Sequence, residues 1–98
     1  MDILKTREDD VLKVELVGRL DTITGPELES NLMDELEGVS ELILDFEKLD
    51  YVSSAGLRVL LVLQKKMNKQ GSMVIRNASE SIIEVFDITG FIDILTIE

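Results

Sequence analysis

A chain of 98 residues with 45% hydrophobic content can build one modest core, burying roughly 60–65% of the surface that its unfolded form exposes. Twenty acids against ten bases give a formal net charge of −10, which repels nucleic-acid backbones and anionic membranes alike, so direct binding to either is not expected. Cysteine and histidine are both absent, which excludes disulfides, thiolate chemistry, Ser/His/Asp and Cys/His triads, and the imidazole ligands that zinc usually takes.

Residues 3–7 and 11–18 read as two strands joined by the polar turn Glu8, Asp9 and Asp10. In the second strand Leu12, Val14 and Leu16 alternate with Lys13 and Glu15, which predicts one apolar and one partly wet sheet face. Pro26 suits a first helical position after Gly25, Leu28, Leu32 and Leu36 form a stripe, and Gly38 supplies a stop. Residues 41–46 are a third strand, with Leu42, Leu44 and Phe46 alternating against Glu41, Ile43 and Asp45. A second helix over about residues 55–70 is apolar nearly all round in its first two turns, through Leu57, Val59, Leu60, Leu61, Val62 and Leu63, and Gly71 ends it. Lys65, Lys66 and Lys69 complement the negative end of its dipole. Residues 72–76 make a fourth strand, and Ser79 opens a short helix whose Ile82, Val85 and Phe86 face inward before Gly90 closes it. Ser81 with Glu84 offers a competing capping box. Residues 91–97 read as a last strand. A hairpin followed by β-α units predicts a single α/β domain over residues 1–98, with a mixed, mostly parallel sheet of about five strands and helices mainly on one face. The first ten residues are too acidic for a signal peptide, and the longest apolar run, residues 59–63, is far short of the roughly 20 needed to span a bilayer. A cytoplasmic protein without membrane contact is expected.

The stretch YVSSAGLR, residues 51–58, sets two adjacent serines where strand and acidic loop give way to the second helix. The first amides of a helix lack intrahelical partners, so Ser53 or Ser54 can act as N-cap, and the dipole there favours negative charge such as a phosphate. Arg58 lies one turn after Ser54, near the positive dipole end where a cation is normally unfavourable; a phosphate on Ser54 would reverse that penalty. Asp21 ends a loop that a parallel strand pair brings beside Ser54, at the carboxyl ends of strands where α/β proteins tend to bind ligands; its plainer reading is a turn or helix-entry residue. The glycines are spread singly, without GxGxxG or GxxxxGK[ST], and no cofactor is expected. An oxygen-only Mg²⁺ site from Asp21, Asp45 and Asp50 is conceivable, but carboxylates at strand ends are usually solvated, and no metal is assigned. A hydrolase would need Ser54 as nucleophile with Asp21, Asp50 or a lysine as base; neither an oriented base nor an oxyanion glycine motif is visible, so no catalytic residue is assigned.

The run LILDFEKLDYVSSAGLRVLL, with GRLD at residues 18–21 and FDITG at 86–90, resembles the bacterial anti-sigma-factor antagonists, small single-domain members of the STAS family. The likeness covers nearly the whole chain. It implies strand and helix units stacked in sequence order, and a serine two residues before the helix glycine that a partner anti-sigma factor, itself a serine kinase, phosphorylates. The matching residue is Ser54, two before Gly56. Many members carry Asp immediately before that serine and Ser or Thr after it, where this chain has Ser53 and Ala55. The resemblance implies that the unphosphorylated form binds the anti-sigma factor and frees a sigma factor, that phosphorylation releases it, and that a serine phosphatase restores it. Asp21, Ser53, Gly56, Leu57 and Arg58 are the expected partner-binding residues. Gly56 lacks a side chain that would keep a partner from Ser54, while Leu57, with Val59 and Val62, is either interface or core. The alternative within the same fold is a STAS module of another partner-switching or stress-sensing assembly.

Overall fold

The computed structural model describes residues 1–98. Strands β1 (Asp2–Glu8), β2 (Val11–Leu20), β3 (Glu41–Val52) and β4 (Ser72–Arg76) form one sheet in the order β1-β2-β3-β4. The β1–β2 pair is an antiparallel hairpin, turned at Asp9 with φ 55°, and the other two pairs are parallel. Helices α1 (Thr24–Met33) and α2 (Ser54–Asn68) connect the parallel strands, and α3 (Glu80–Thr89) follows β4. Leu12, Val14 and Leu16 of β2, Leu42, Leu44 and Phe46 of β3, and Met73 and Ile75 of β4 join one core with Leu28 and Leu32 of α1, Leu60, Leu63 and Met67 of α2, and Ile82 and Phe86 of α3. Alternate strand residues thus meet helices from a single face. Ile43 is buried yet stands outside this core, and Lys13, with Asp45 4.0 Å away, belongs to the other sheet face.

Three elements differ from expectation. β3 runs six residues beyond Phe46, because two irregularities in its pairing with β2 break the alternation on which the shorter strand was read: Glu15 pairs with Asp45 but Val17 with Lys48, and Gly18 pairs with Leu49 but Arg19 with Tyr51. After each extra residue the strand turns Leu49 and then Val52 inward. α1 starts at Thr24 rather than Pro26 and ends at Met33, before Gly38; Pro26 at the third helical position forfeits nothing, since that amide has no intrahelical partner. Leu36 remains buried in the turn that follows, where the Gln70 side chain donates to the carbonyls of Leu36 and Val39, each at 2.6 Å.

The expected fifth strand is absent as a strand. After Gly90 (φ 81°) the chain enters a 3₁₀ turn, Phe91–Asp93, whose Phe91 carbonyl accepts from the amides of Ile94 and Leu95 at 3.0 and 2.8 Å. Those bonds occupy backbone that a strand would need for pairing, and Leu95, 5% exposed, closes the core instead. Only one parallel bridge survives, Ile75 with Ile97. No helix is long and apolar enough to cross a membrane.

Candidate functional site

Parallel pairing of β2 with β3 ends at Arg19–Tyr51 and Leu20–Val52, and the Ser53 amide donates to the Leu20 carbonyl at 2.9 Å. The loops leading into α1 and α2 therefore leave the sheet side by side, bringing Asp21 next to the two serines.

At the start of α2, Ser53 has extended backbone (φ −89°, ψ 175°), its hydroxyl accepts from the Gly56 amide at 3.2 Å, and its carbonyl accepts from Leu57 at 2.9 Å. Ser53 is the cap, which resolves the two-serine ambiguity. Ser54 is the first helical residue, exposed, and its hydroxyl makes no hydrogen bond within the chain. Gly56 is buried: a Cβ there would lie 2.9 Å from both the carbonyl oxygen and Cγ of Leu20 and 3.1 Å from Val52 Cγ1. Its missing side chain lets α2 seat on the ends of β2 and β3. Leu57, 5% exposed, belongs to the core. Gly56 and Leu57, expected to meet a partner, thus face inward, because the first turn of α2 is pressed onto the sheet end.

Arg58 is exposed and makes neither an ion pair nor a hydrogen bond within the chain. It borders a groove of about 510 Å³ between α1 and α2, with Pro26, Glu29, Met33, Ala55 and Val59.

Asp21 has a defined local task. Its Oδ1 accepts from the amides of Ile23 and Thr24, each at 3.0 Å, while its own amide donates to Thr24 Oγ1 at 2.8 Å and its carbonyl accepts from Gly25 at 2.8 Å. This is a reciprocal capping box for α1, set ahead of Ile23, whose backbone is already helical. The Thr24 and Ile23 amides hold the Asp21 carboxyl below its ordinary value, helped by the Thr24 hydroxyl and the Arg19 charge against a lesser upward push from burial.

Three neighbours of the site were missed from sequence. The Arg19 guanidinium stacks 4.3 Å above the Tyr51 ring and lies 4.0 Å from Asp21, Tyr51 is 42% exposed, and Ile23 is 80% exposed. A large apolar residue in a polar loop was the available signal for Ile23; the Arg19–Tyr51 stack depends on β3 continuing past Phe46. Asp21, Asp45 and Asp50 form no group of three acids able to hold a metal ion. Asp45 has its own role: burial pushes its carboxyl up, but the Glu47 amide (3.0 Å), the Asn77 side chain (3.1 Å) and the charges of Lys13 and Arg76 outweigh that and hold it low.

Residues 2–98 match the STAS domain. The chain belongs to the STAS domain family. It is 35% identical over 95 residues to the anti-sigma-B factor antagonist of Bacillus subtilis, covering 96% of this chain and 86% of that protein. Among solved structures, an anti-sigma factor antagonist from Mycobacterium paratuberculosis superposes with a TM-score of 0.87 at 21% identity, over 98% of this chain and 83% of that one. The Bacillus cell fate determinant SpoIIAA in its phosphorylated form gives a TM-score of 0.76 at 18% identity, over 99% of this chain and 91% of that one. At those identities the two structures speak for the STAS fold, and the Bacillus subtilis sequence speaks for the family.

Proposed function

We propose that this STAS domain is an anti-sigma factor antagonist switched by phosphorylation of Ser54. In the unphosphorylated state it binds an anti-sigma factor that is also a serine kinase, and the sequestered partner releases its sigma factor. The kinase transfers the γ-phosphoryl group of ATP to Ser54 Oγ, forming the O–P bond as ADP leaves. A serine phosphatase hydrolyses that bond and returns the domain to the binding state. The domain itself contributes no catalysis, touches neither nucleic acid nor membrane, and works in the cytoplasm.

One observation carries this reading: Ser54 offers an exposed, unbonded hydroxyl at the start of α2 while its neighbour Ser53 does the capping. The kinase can modify Ser54 without unpicking the helix start. About −1.5 to −2 charges would then appear on this face, enough to turn a fitted contact into repulsion without refolding the domain. The partner surface consists of Asp21, Ser53, Ser54 and Arg58 with Arg19, Ile23 and Tyr51 beside them. The 35% identity to the Bacillus subtilis antagonist supports the partner class, and SpoIIAA, solved in a phosphorylated form, supports phosphorylation as compatible with this fold.

The test is incubation of the purified chain with ATP, Mg²⁺ and each candidate anti-sigma kinase of the same genome, followed by mass spectrometry of the digested product. Phosphate on Ser54 is the expected result; phosphate on Ser53 alone, or none with any kinase, refutes the assignment.

A further inference from the structure

The arginines of this chain fall into two groups. Of the four, Arg7 donates to the carbonyls of Asp9, Glu35 and Glu37, Arg19 stacks on Tyr51 beside Asp21, and Arg76 pairs with Glu98 at 2.8 Å. Arg58 alone has no partner, in a chain where acids outnumber bases two to one. Glu29 and Asp34 border the same groove as Arg58, yet neither lies within the 4.0 Å of an ion pair. The position adds to the anomaly, because the guanidinium sits near the positive end of the α2 dipole, where no carboxylate in the first turn offsets it.

We propose that Arg58 is the counter-ion of phosphorylated Ser54, capturing the phosphate against its own helix; the proposal rests on Ser54 being the modified residue. Positions four apart on a helix are neighbours, and helical side chains lean toward the N-terminus, so an arginine at 58 covers the turn that Ser54 opens. Ser54 and Arg58 are both exposed, and Ala55 between them is too small to stand in the way. A phosphate presents three acceptor oxygens, and guanidinium meets two of them with parallel N–H donors. Ser53 contributes by being neutral. It caps the helix through a hydroxyl, so no carboxylate at that position competes for Arg58 or repels the phosphate.

Phosphoserine encoded genetically at position 54 of the full chain makes the test independent of any kinase. The second pKa of the phosphate is read by ³¹P NMR titration in the native sequence, Arg58→Ala, Arg58→Gln and Arg58→Lys. The expected result is a pKa about 0.4 unit higher in Arg58→Ala and Arg58→Gln than in the native sequence, with Arg58→Lys between them. In about 1 M salt the differences should collapse. Arg58 is exposed and faces the positive dipole end, so the unphosphorylated Arg58→Ala and Arg58→Gln proteins should be at least as stable as the native one, and a merely structural role would not move the phosphate titration. Coincident titrations of native and Arg58→Ala phosphoproteins overturn the proposal. If the titrations coincide while kinases do modify Ser54, only the role of Arg58 falls; if no kinase modifies Ser54 but the titrations differ, the switch reading falls and the ion pair stands.

Discussion

α1 and α2 begin side by side at the carboxyl ends of the two central strands and solve the same problem in opposite ways. The start of α1 is sealed by the ionised Asp21 carboxylate, which accepts two amides while Thr24 returns a bond to the Asp21 amide. The start of α2 is capped by one neutral bond, Ser53 hydroxyl to Gly56 amide, and the next hydroxyl is left free. Both starts satisfy the need for a cap, but α1 already holds a negative charge at its positive dipole end and α2 does not. A regulatory charge would therefore gain most at α2, which is the electrostatic ground for proposing the switch on that helix.

The largest expected break in this comparison is steric. Each helix carries a glycine near its start, and they are not equivalent. A Cβ at Gly56 would meet Leu20 at 2.9 Å, backbone oxygen included, whereas a Cβ at Gly25 meets its nearest neighbour, Val59 Cγ2, at an ordinary 3.4 Å. Gly56→Ala should destabilise the protein by about 2 kcal/mol by forcing α2 off the strand ends, while Gly25→Ala should stay within about 0.5 kcal/mol of the native chain. Urea denaturation of the two variants decides it; equal losses would mean that the starts are packed alike.

The next effect is on partner binding. Ser54→Asp should bind the anti-sigma kinase at least about tenfold more weakly, about 1.4 kcal/mol, while Ser54→Ala should bind without being switched off. Isothermal calorimetry giving the same affinity for both variants would detach the switch from the charge on this residue. A somewhat smaller effect separates the two serines by stability. Ser53→Ala removes the cap and should cost about 1 kcal/mol, whereas Ser54→Ala removes a hydroxyl without partners and should cost under about 0.5 kcal/mol. The reverse order in a denaturant melt would place the cap on Ser54.

Much of this architecture was legible because local pattern and global topology agree. The alternation Leu12, Val14, Leu16 marks the core face, and the adjacency of Asp21 to Ser54 follows from parallel pairing alone. Legibility failed where backbone geometry departs from strict periods. The pairing irregularities after Glu15 and Gly18 hid half of β3 and with it the Arg19–Tyr51 stack. The last segment is as apolar as a strand, yet the φ of 81° at Gly90 turns it into a 3₁₀ coil with Leu95 as a plug. Gly56 and Leu57 stayed open between partner contact and packing, because sequence reports that a residue is small or apolar without reporting which neighbour it touches. Conversely, the choice between Ser53 and Ser54 as cap turns on one backbone conformation, the extended ψ of Ser53, which adjacent identical residues cannot reveal.

The finest discrimination between the two helix starts is their response to acid. Asp21 has a folded-state pKa below its ordinary value, while the hydroxyl cap of Ser53 does not titrate in that range. A depressed carboxyl binds its proton more weakly in the folded chain than in the unfolded one. The stability it contributes is therefore fully present above about pH 4 and is lost as pH falls through the lower folded value. Asp45 follows the same sign, so the native protein should lose stability in acid through both carboxyls. Asp21→Asn keeps an oxygen that can accept from Ile23 and Thr24 but removes the charge that faces the α1 dipole and Arg19. The variant should be less stable than the native protein at pH 7, and the difference should be smaller at about pH 3, below the ordinary carboxyl value, as the native carboxyl starts to take up its proton. Because Asp21 is only half-buried and solvent screens its charge, this difference should be the smallest of those described, and low salt will show it best. Urea melts at the two pH values test it: a constant difference between native and Asp21→Asn would mean that the cap acts through geometry and that its charge contributes nothing.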